Sequence, residues 1–172
     1  LLASCYLSDK NQFGGDIKGH KGNDGQLIHI DTEQGAWHCQ KVFERVHKMD
    51  SNINSEIYHT FGLRSIDYKM RIEFIDYYLK ERIKTPSLLI IDGIADLCSD
   101  ANNISESNHL VQKLMEWSSI YKCHIINVIH QNFGSSKLGT GHLGSFLEKK
   151  AETVIQLEAN TVNKDWVTVK CG

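Results

Sequence analysis

The chain has little of what would assign it at a glance. No apolar run approaches the roughly 20 residues that a membrane-spanning helix needs, and no signal-peptide pattern is visible. Its cysteines (Cys5, Cys39, Cys98, Cys123 and Cys171) are odd in number and scattered, with no C-x-x-C or H-x-x-x-H spacing. That excludes reading a disulfide framework or a zinc site from the sequence, and it suits reduced thiols in a cytoplasm. There is no G-x-S-x-G elbow to support a serine hydrolase. Proline occurs once, at Pro86, and no repeat or low-complexity segment is present. Charge of one sign is lacking too: the formal balance is −2 at pH 7. Nucleic-acid binding therefore cannot be read from overall charge, only from a local basic groove.

What is there fits one domain. The 172 residues, 41% hydrophobic and 23% charged, are enough to bury a core. The chain opens on Leu1 rather than Met, inside a helical pattern (Leu1, Leu2, Cys5, Tyr6, Leu7), and closes at Gly172 directly after a strand-like run. The expectation is a single domain, 1–172, that is a fragment of something longer.

Residues 8–25 are polar and glycine-rich and read as a loop. A strand is predicted at 26–31, then a helix at 36–49 with Trp37, Val42, Phe43 and Val46 inward. A short strand follows at 57–61. Residues 66–83 repeat Ile72, Ile75, Leu79 and Ile83 at helical spacing, with Pro86 closing that helix. Leu88 to Ile91 is a continuous aliphatic run, the mark of a strand buried on both faces. A helix is predicted at 108–121, capped within 105–107, and a second buried strand in CHIINVIHQN, ending at His130 and Gln131. A glycine-rich loop, a short helix near 146–151 and the strands TVIQLEA and WVTVKC complete the chain. This alternation argues an α/β fold with a mostly parallel sheet flanked by helices.

In such sheets ligands sit at the carboxyl ends of the strands. Here the predicted buried strands end in Asp31 to Glu33, in Asp92, and in His130 to Gln131. An aliphatic strand ending in Asp suits a carboxylate that holds Mg²⁺ through water beside phosphates. A second acid on a neighbouring strand end can deprotonate an attacking water. An amide or imidazole on a third can sense the γ-phosphate.

In order and spacing, IHIDTEQ, LLIIDGIADL, IINVIHQN and GSFLEKKAETVIQLEA resemble the RecA-like ATPase core, nearest to ring-forming replicative helicases of the RepA/DnaB type. The resemblance covers about residues 26–172. It implies a P-loop NTPase fold that hydrolyses ATP with Mg²⁺, acts on single-stranded DNA in replication or mobilisation, and assembles as a hexameric ring or filament in the cytoplasm. It implies Glu33 as catalytic base, Asp92 as the Walker B acid near Mg²⁺, and His130 or Gln131 as phosphate sensor. Residues 132–144, with Asn132, Lys137, Gly139, Gly141 and His142, would be the DNA-touching loop, and Lys170 would reach a neighbouring subunit's nucleotide. The family's phosphate loop, G-x-x-x-x-G-K-[ST], is absent from these residues. LLASCYL looks like the helix that follows it, so the loop is expected just upstream of Leu1. The other reading is a degenerate relative that keeps the fold as an assembly or DNA-binding module.

Other motifs carry less. Gly139 to Gly144 spells G-x-G-x-x-G with Glu158 nineteen residues on, as in a dinucleotide-binding oxidoreductase. About eight loop residues separate it from the preceding strand, however, and a loop is the simpler reading. His29, His38, Cys39, Cys123 and His124 are expected to be structural. Lys149, Lys150 and Lys137 suit a solvated face as well as a phosphate backbone. Trp37 and Phe43 are expected in the core rather than as base-stacking platforms.

Overall fold

The computed structural model describes residues 2–8, 11–12, 17–20, 25–131, 139–162 and 166–171. At its centre is a four-stranded, wholly parallel sheet in the order β4-β3-β5-β6. The strands are β3 (Gln26–Asp31), β4 (Tyr58–Gly62), β5 (Pro86–Asp92) and β6 (His124–Val128). β3 and β5 lie in the middle, which is why both read as aliphatic runs. Alternate residues enter opposite cores because successive strand side chains point to opposite faces. Ile28, Ile30, Leu89 and Ile91 join the layer formed by α3 (Tyr68–Tyr77), α4 (Ile104–Tyr121) and α5 (Gly141–Lys150). Leu27, Leu88 and Ile90 join α1 (Leu2–Ser8) and α2 (Ala36–Met49) on the other face. Each such side chain, fully buried, contributes about 1.5–3 kcal/mol of transfer free energy.

The starts of α3 and α4 are set locally, by Asp67 and Asn103. Asn103 caps α4 by accepting the Glu106 N–H at 3.1 Å, and Glu106 in turn holds the Ser99 hydroxyl at 2.7 Å. α4 therefore begins at Ile104, earlier than hydrophobic spacing suggested, because a polar cap carries no periodic signal. The Trp117 indole N–H donates to Asp76 at 2.6 Å and Lys113 pairs with the same carboxylate at 3.0 Å, tying α4 to α3.

Several expectations are corrected. Trp37 does not face inward; it is 61% exposed, and Cys39 takes the buried place on α2 with Val46. Pro86 opens β5 rather than closing a helix, and the helical stretch ends in a π-helical turn, Tyr78–Arg82. β6 is not buried on both faces: its outer edge pairs with no described strand and its side chains are half-buried or exposed. It ends at Val128, so His130 and Gln131 lie beyond it. Within 8–25, the two-residue strands β1 (Asn11–Gln12) and β2 (Ile17–Lys18) pair antiparallel. α5 starts at Gly141, where glycines had suggested loop; the close approach of Gly139 to Gly144 leaves no room for a side chain at either position.

The last strands, β7 (Ile155–Ala159) and β8 (Val167–Cys171), form a separate antiparallel pair. Ile155, Leu157, Val167 and Val169 on it are exposed, while Glu158 and Lys170 pair at 2.7 Å.

Candidate active site

The parallel register sets Asp31 directly beside Asp92, each the last residue of a central strand. Asp31 is completely buried, and its Oδ1 accepts the N–H groups of Glu33 (3.0 Å) and Gln34 (2.8 Å). This is an Asx turn: a short carboxylate satisfies the backbone of the next residues and bends the chain off the strand. Its Oδ2 has no hydrogen-bond partner among the described residues. The Cys39 thiol faces this carboxylate; burial first, then Asp31 and Asp92, push that thiol up to about 11. A thiol so disfavoured as thiolate is a packing group rather than a nucleophile.

Thr32 closes the turn against the neighbouring strand. Its N–H donates to the Asp92 carbonyl at 3.0 Å, and its hydroxyl lies within hydrogen-bond reach of the carbonyls of Asp92 (3.0 Å) and Gly93 (2.9 Å). Gly93 has φ +93°, a left-handed conformation that costs any residue with a Cβ. A Cβ there would also meet Glu33 Cγ at 2.6 Å. Glu33 thus packs over the bare backbone that follows Asp92.

Glu33 is half-buried, and its Oε2 accepts a hydrogen bond from His130 Nε2 at 3.2 Å. The imidazole comes from beyond β6. Its backbone is fixed by Thr140, whose N–H and hydroxyl both donate to the His130 carbonyl, at 3.0 and 2.8 Å. Gln131 bridges Gly139 in antiparallel fashion. Residues 131 and 139 are thereby paired beside the acid cluster.

Asp92 is half-buried, and its carboxyl is raised above the usual value by burial, then by the charges of Asp31 and Glu33, with His130 opposing. The site as it stands holds more negative charge than it neutralises. Beside it, Gln34 borders an open cleft of about 710 Å³ between α2 and β4, lined also by Cys39, Gln40, Thr60 and Arg64. A second cleft, about 490 Å³ between α3 and α4, contains no strand-end residue and is unrelated to this chemistry.

The structure thus brings together Glu33, Asp92 and His130; of the two candidate sensors it is His130 that touches the acid. Asn132 and Lys137 lie outside the described residues. Gly139 is buried and donates its N–H to Glu148 at 2.9 Å, Gly141 is the first residue of α5, and His142 is exposed on that helix. The G-x-G-x-x-G glycines are taken up by packing at this helix start. Lys170 sits on the terminal strand pair with Glu158. His29 is structural, buried in β3 with Nδ1 at 2.8 Å from the Tyr58 hydroxyl, and burial lowers its pKa to about 4. Among the described residues no three His, Cys, Asp or Glu side chains are arranged to enclose a metal ion, and no helix is long and apolar enough to cross a membrane.

Sequence reasoning missed the parts played by Asp31, Thr32, Gly93 and Cys39. The D-T-E order after an apolar run was the available signal for the turn. Nothing in sequence signals Gly93's contact with Glu33, which depends on strand register. The chain matches no protein-family model, and no curated protein compared with it shows significant similarity.

Proposed function

We propose that this chain is the core of a RecA-like, ATP-hydrolysing motor that acts on single-stranded DNA. One observation carries the reading: Asp31 and Asp92 end adjacent parallel strands in register, and Glu33 is held over that edge by His130. Carboxylates crowded at the carboxyl end of a parallel sheet are where phosphate chemistry is done in such folds.

In this reading Glu33 is the general base. Its Asx turn fixes the backbone, Gly93 supports its stem, and the His130 N–H orients one oxygen, leaving the other to take a proton from water. The donor set fits a hydrated Mg²⁺: hard carboxylate oxygens crowded at one strand edge, where burial and then the charges of Asp31 and Glu33 raise Asp92. Asp92 would hold the ion through water, and the ion, when bound, would neutralise charge on the phosphates. Residues 132–138 follow Gln131 in sequence, so in this reading a DNA contact within them would be linked to Glu33 through the His130 imidazole.

The test is ATP hydrolysis by the longest natural polypeptide that carries these residues, with and without single-stranded DNA, beside Glu33→Gln. The motor reading expects DNA-stimulated turnover that falls at least ~100-fold in the variant, while ATP still binds. Turnover indifferent to Glu33 would overturn the assignment. Binding of DNA with no turnover at all would favour a non-catalytic module, the reading supported by the lack of G-K-[ST] within these residues.

A further inference from the structure

The largest departure from sequence expectation on α2 is Trp37, an indole left 61% exposed in a chain that buries its other helical tryptophan, Trp117, to 1%. Trp117 also has an acceptor for its ring N–H, in Asp76, whereas the Trp37 ring N–H meets none among the described residues. Trp37 instead has the Lys41 ammonium 3.4 Å above its ring and His38 against its edge at 4.6 Å.

Trp37, Lys41, Arg45 and Lys48 follow one another at helical spacing, and all are exposed. At 100° per residue they fall within an arc of about 80°, and from first to last they run about 16 Å along the helix. Glu44, the one acid on α2, lies just outside this arc. It is engaged by Gln40 at 2.8 Å and pairs with Lys48 at 3.9 Å, which still leaves the face net positive. Arg45 makes no ion pair among the described residues. A chain of net charge −2 thus concentrates cations beside an exposed aromatic on one face. α2 leaves β3 at the same sheet edge as Glu33, so Trp37 lies at that edge too.

We propose that this face of α2 is a track for single-stranded nucleic acid, with Trp37 stacking a base and Lys41, Arg45 and Lys48 following successive phosphates. An aromatic platform flanked by cations is what sequence-tolerant single-strand binding uses. Lys41 is placed to serve twice, covering the indole when the track is empty and meeting a phosphate when a base takes its place. A length of about 16 Å suits a polymer's run of phosphates better than a single nucleotide. The track shares its ligand class with the motor reading but rests on none of the strand-end carboxylates.

The experiment is fluorescence anisotropy of a labelled oligothymidylate titrated with the chain, without ATP, across a range of salt. Trp37→Ala should weaken binding roughly 5- to 150-fold, the range for one lost base stack, while Trp37→Phe keeps much of the affinity. Lys41→Gln with Arg45→Gln should lower the slope of log affinity against log salt by about 1.4, at about 0.7 per phosphate contact on a single strand. Trp166→Ala, an exposed tryptophan elsewhere, should bind as the parent does. The proposal is overturned if the parent does not bind, or if the α2 variants bind as the parent does. It is equally overturned if free thymidylate competes as well as the oligomer at equal nucleotide concentration. The charge arm decides the matter should Trp37→Ala fray the helix. Since no ATP is present, the outcome is independent of whether the chain hydrolyses anything.

Discussion

His130 Nε2 donates to Glu33 Oε2 at 3.2 Å, joining groups 97 positions apart in the chain across two strand ends. The contact is exposed on the His side and half-buried on the Glu side, so it contributes orientation more than stability. If turnover depends on Glu33, His130 is its positioning residue. His130→Ala should then lower kcat about 10- to 100-fold with KM for ATP unmoved. His130→Gln, which keeps a donor, should restore most of the rate. Steady-state kinetics of the variants checks this, and an unchanged kcat in His130→Ala would remove the imidazole from the mechanism.

Gly93→Ala should damage fold and site together. The left-handed φ of +93° costs a Cβ-bearing residue about 1–2 kcal/mol. The new methyl also meets Glu33 Cγ at 2.6 Å and the Thr32 hydroxyl closer still. A loss of at least about 2 kcal/mol is expected from urea denaturation. Gly93→Asn, which tolerates the backbone but not the contact, should recover only part of it.

Asp92→Asn should stabilise the chain at neutral pH. Its carboxyl is raised in the folded protein by burial and by Asp31 and Glu33, so ionising it is harder folded than unfolded. The resulting penalty is absent below its ordinary value of 3.8 and grows as pH rises through the elevated one. Thermal melts of the two proteins should therefore converge in acid and separate toward pH 7, the Asn variant melting higher. Convergence at neutral pH would mean that Asp92 carries no such strain.

His29 should make the fold acid-sensitive in a different window. It is buried and lowered to about 4 from 6.5, so between those values the unfolded chain takes up a proton that the folded one refuses. Stability falls as pH drops through that window, by up to about 3 kcal/mol from this group alone. His29→Phe gives up the Tyr58 contact and is less stable near pH 7, but its stability should fall less steeply over the same window. Parallel curves for the two proteins would show that His29 titrates normally.

The central strands were legible because burial on both faces leaves a mark in one dimension: Leu88 to Ile91 is a continuous aliphatic run, and Asp31 and Asp92 end the runs they belong to. Helices whose apolar stripe is regular were legible for the same reason. The sequence could not show that Asp31 and Asp92 would stand in register, since that depends on how strands align across the sheet. Nor could it place His130 on Glu33, a pairing made by loop geometry beyond β6, or turn Trp37 outward, because helical spacing alone does not say which side of a helix meets the sheet. The sequence by itself determined which residues could be strands, helices and strand-end acids, because local periodicity and polarity suffice for that. Only the tertiary structure decided which acids share a site and which aromatic faces water, because both follow from contacts between segments far apart in the chain.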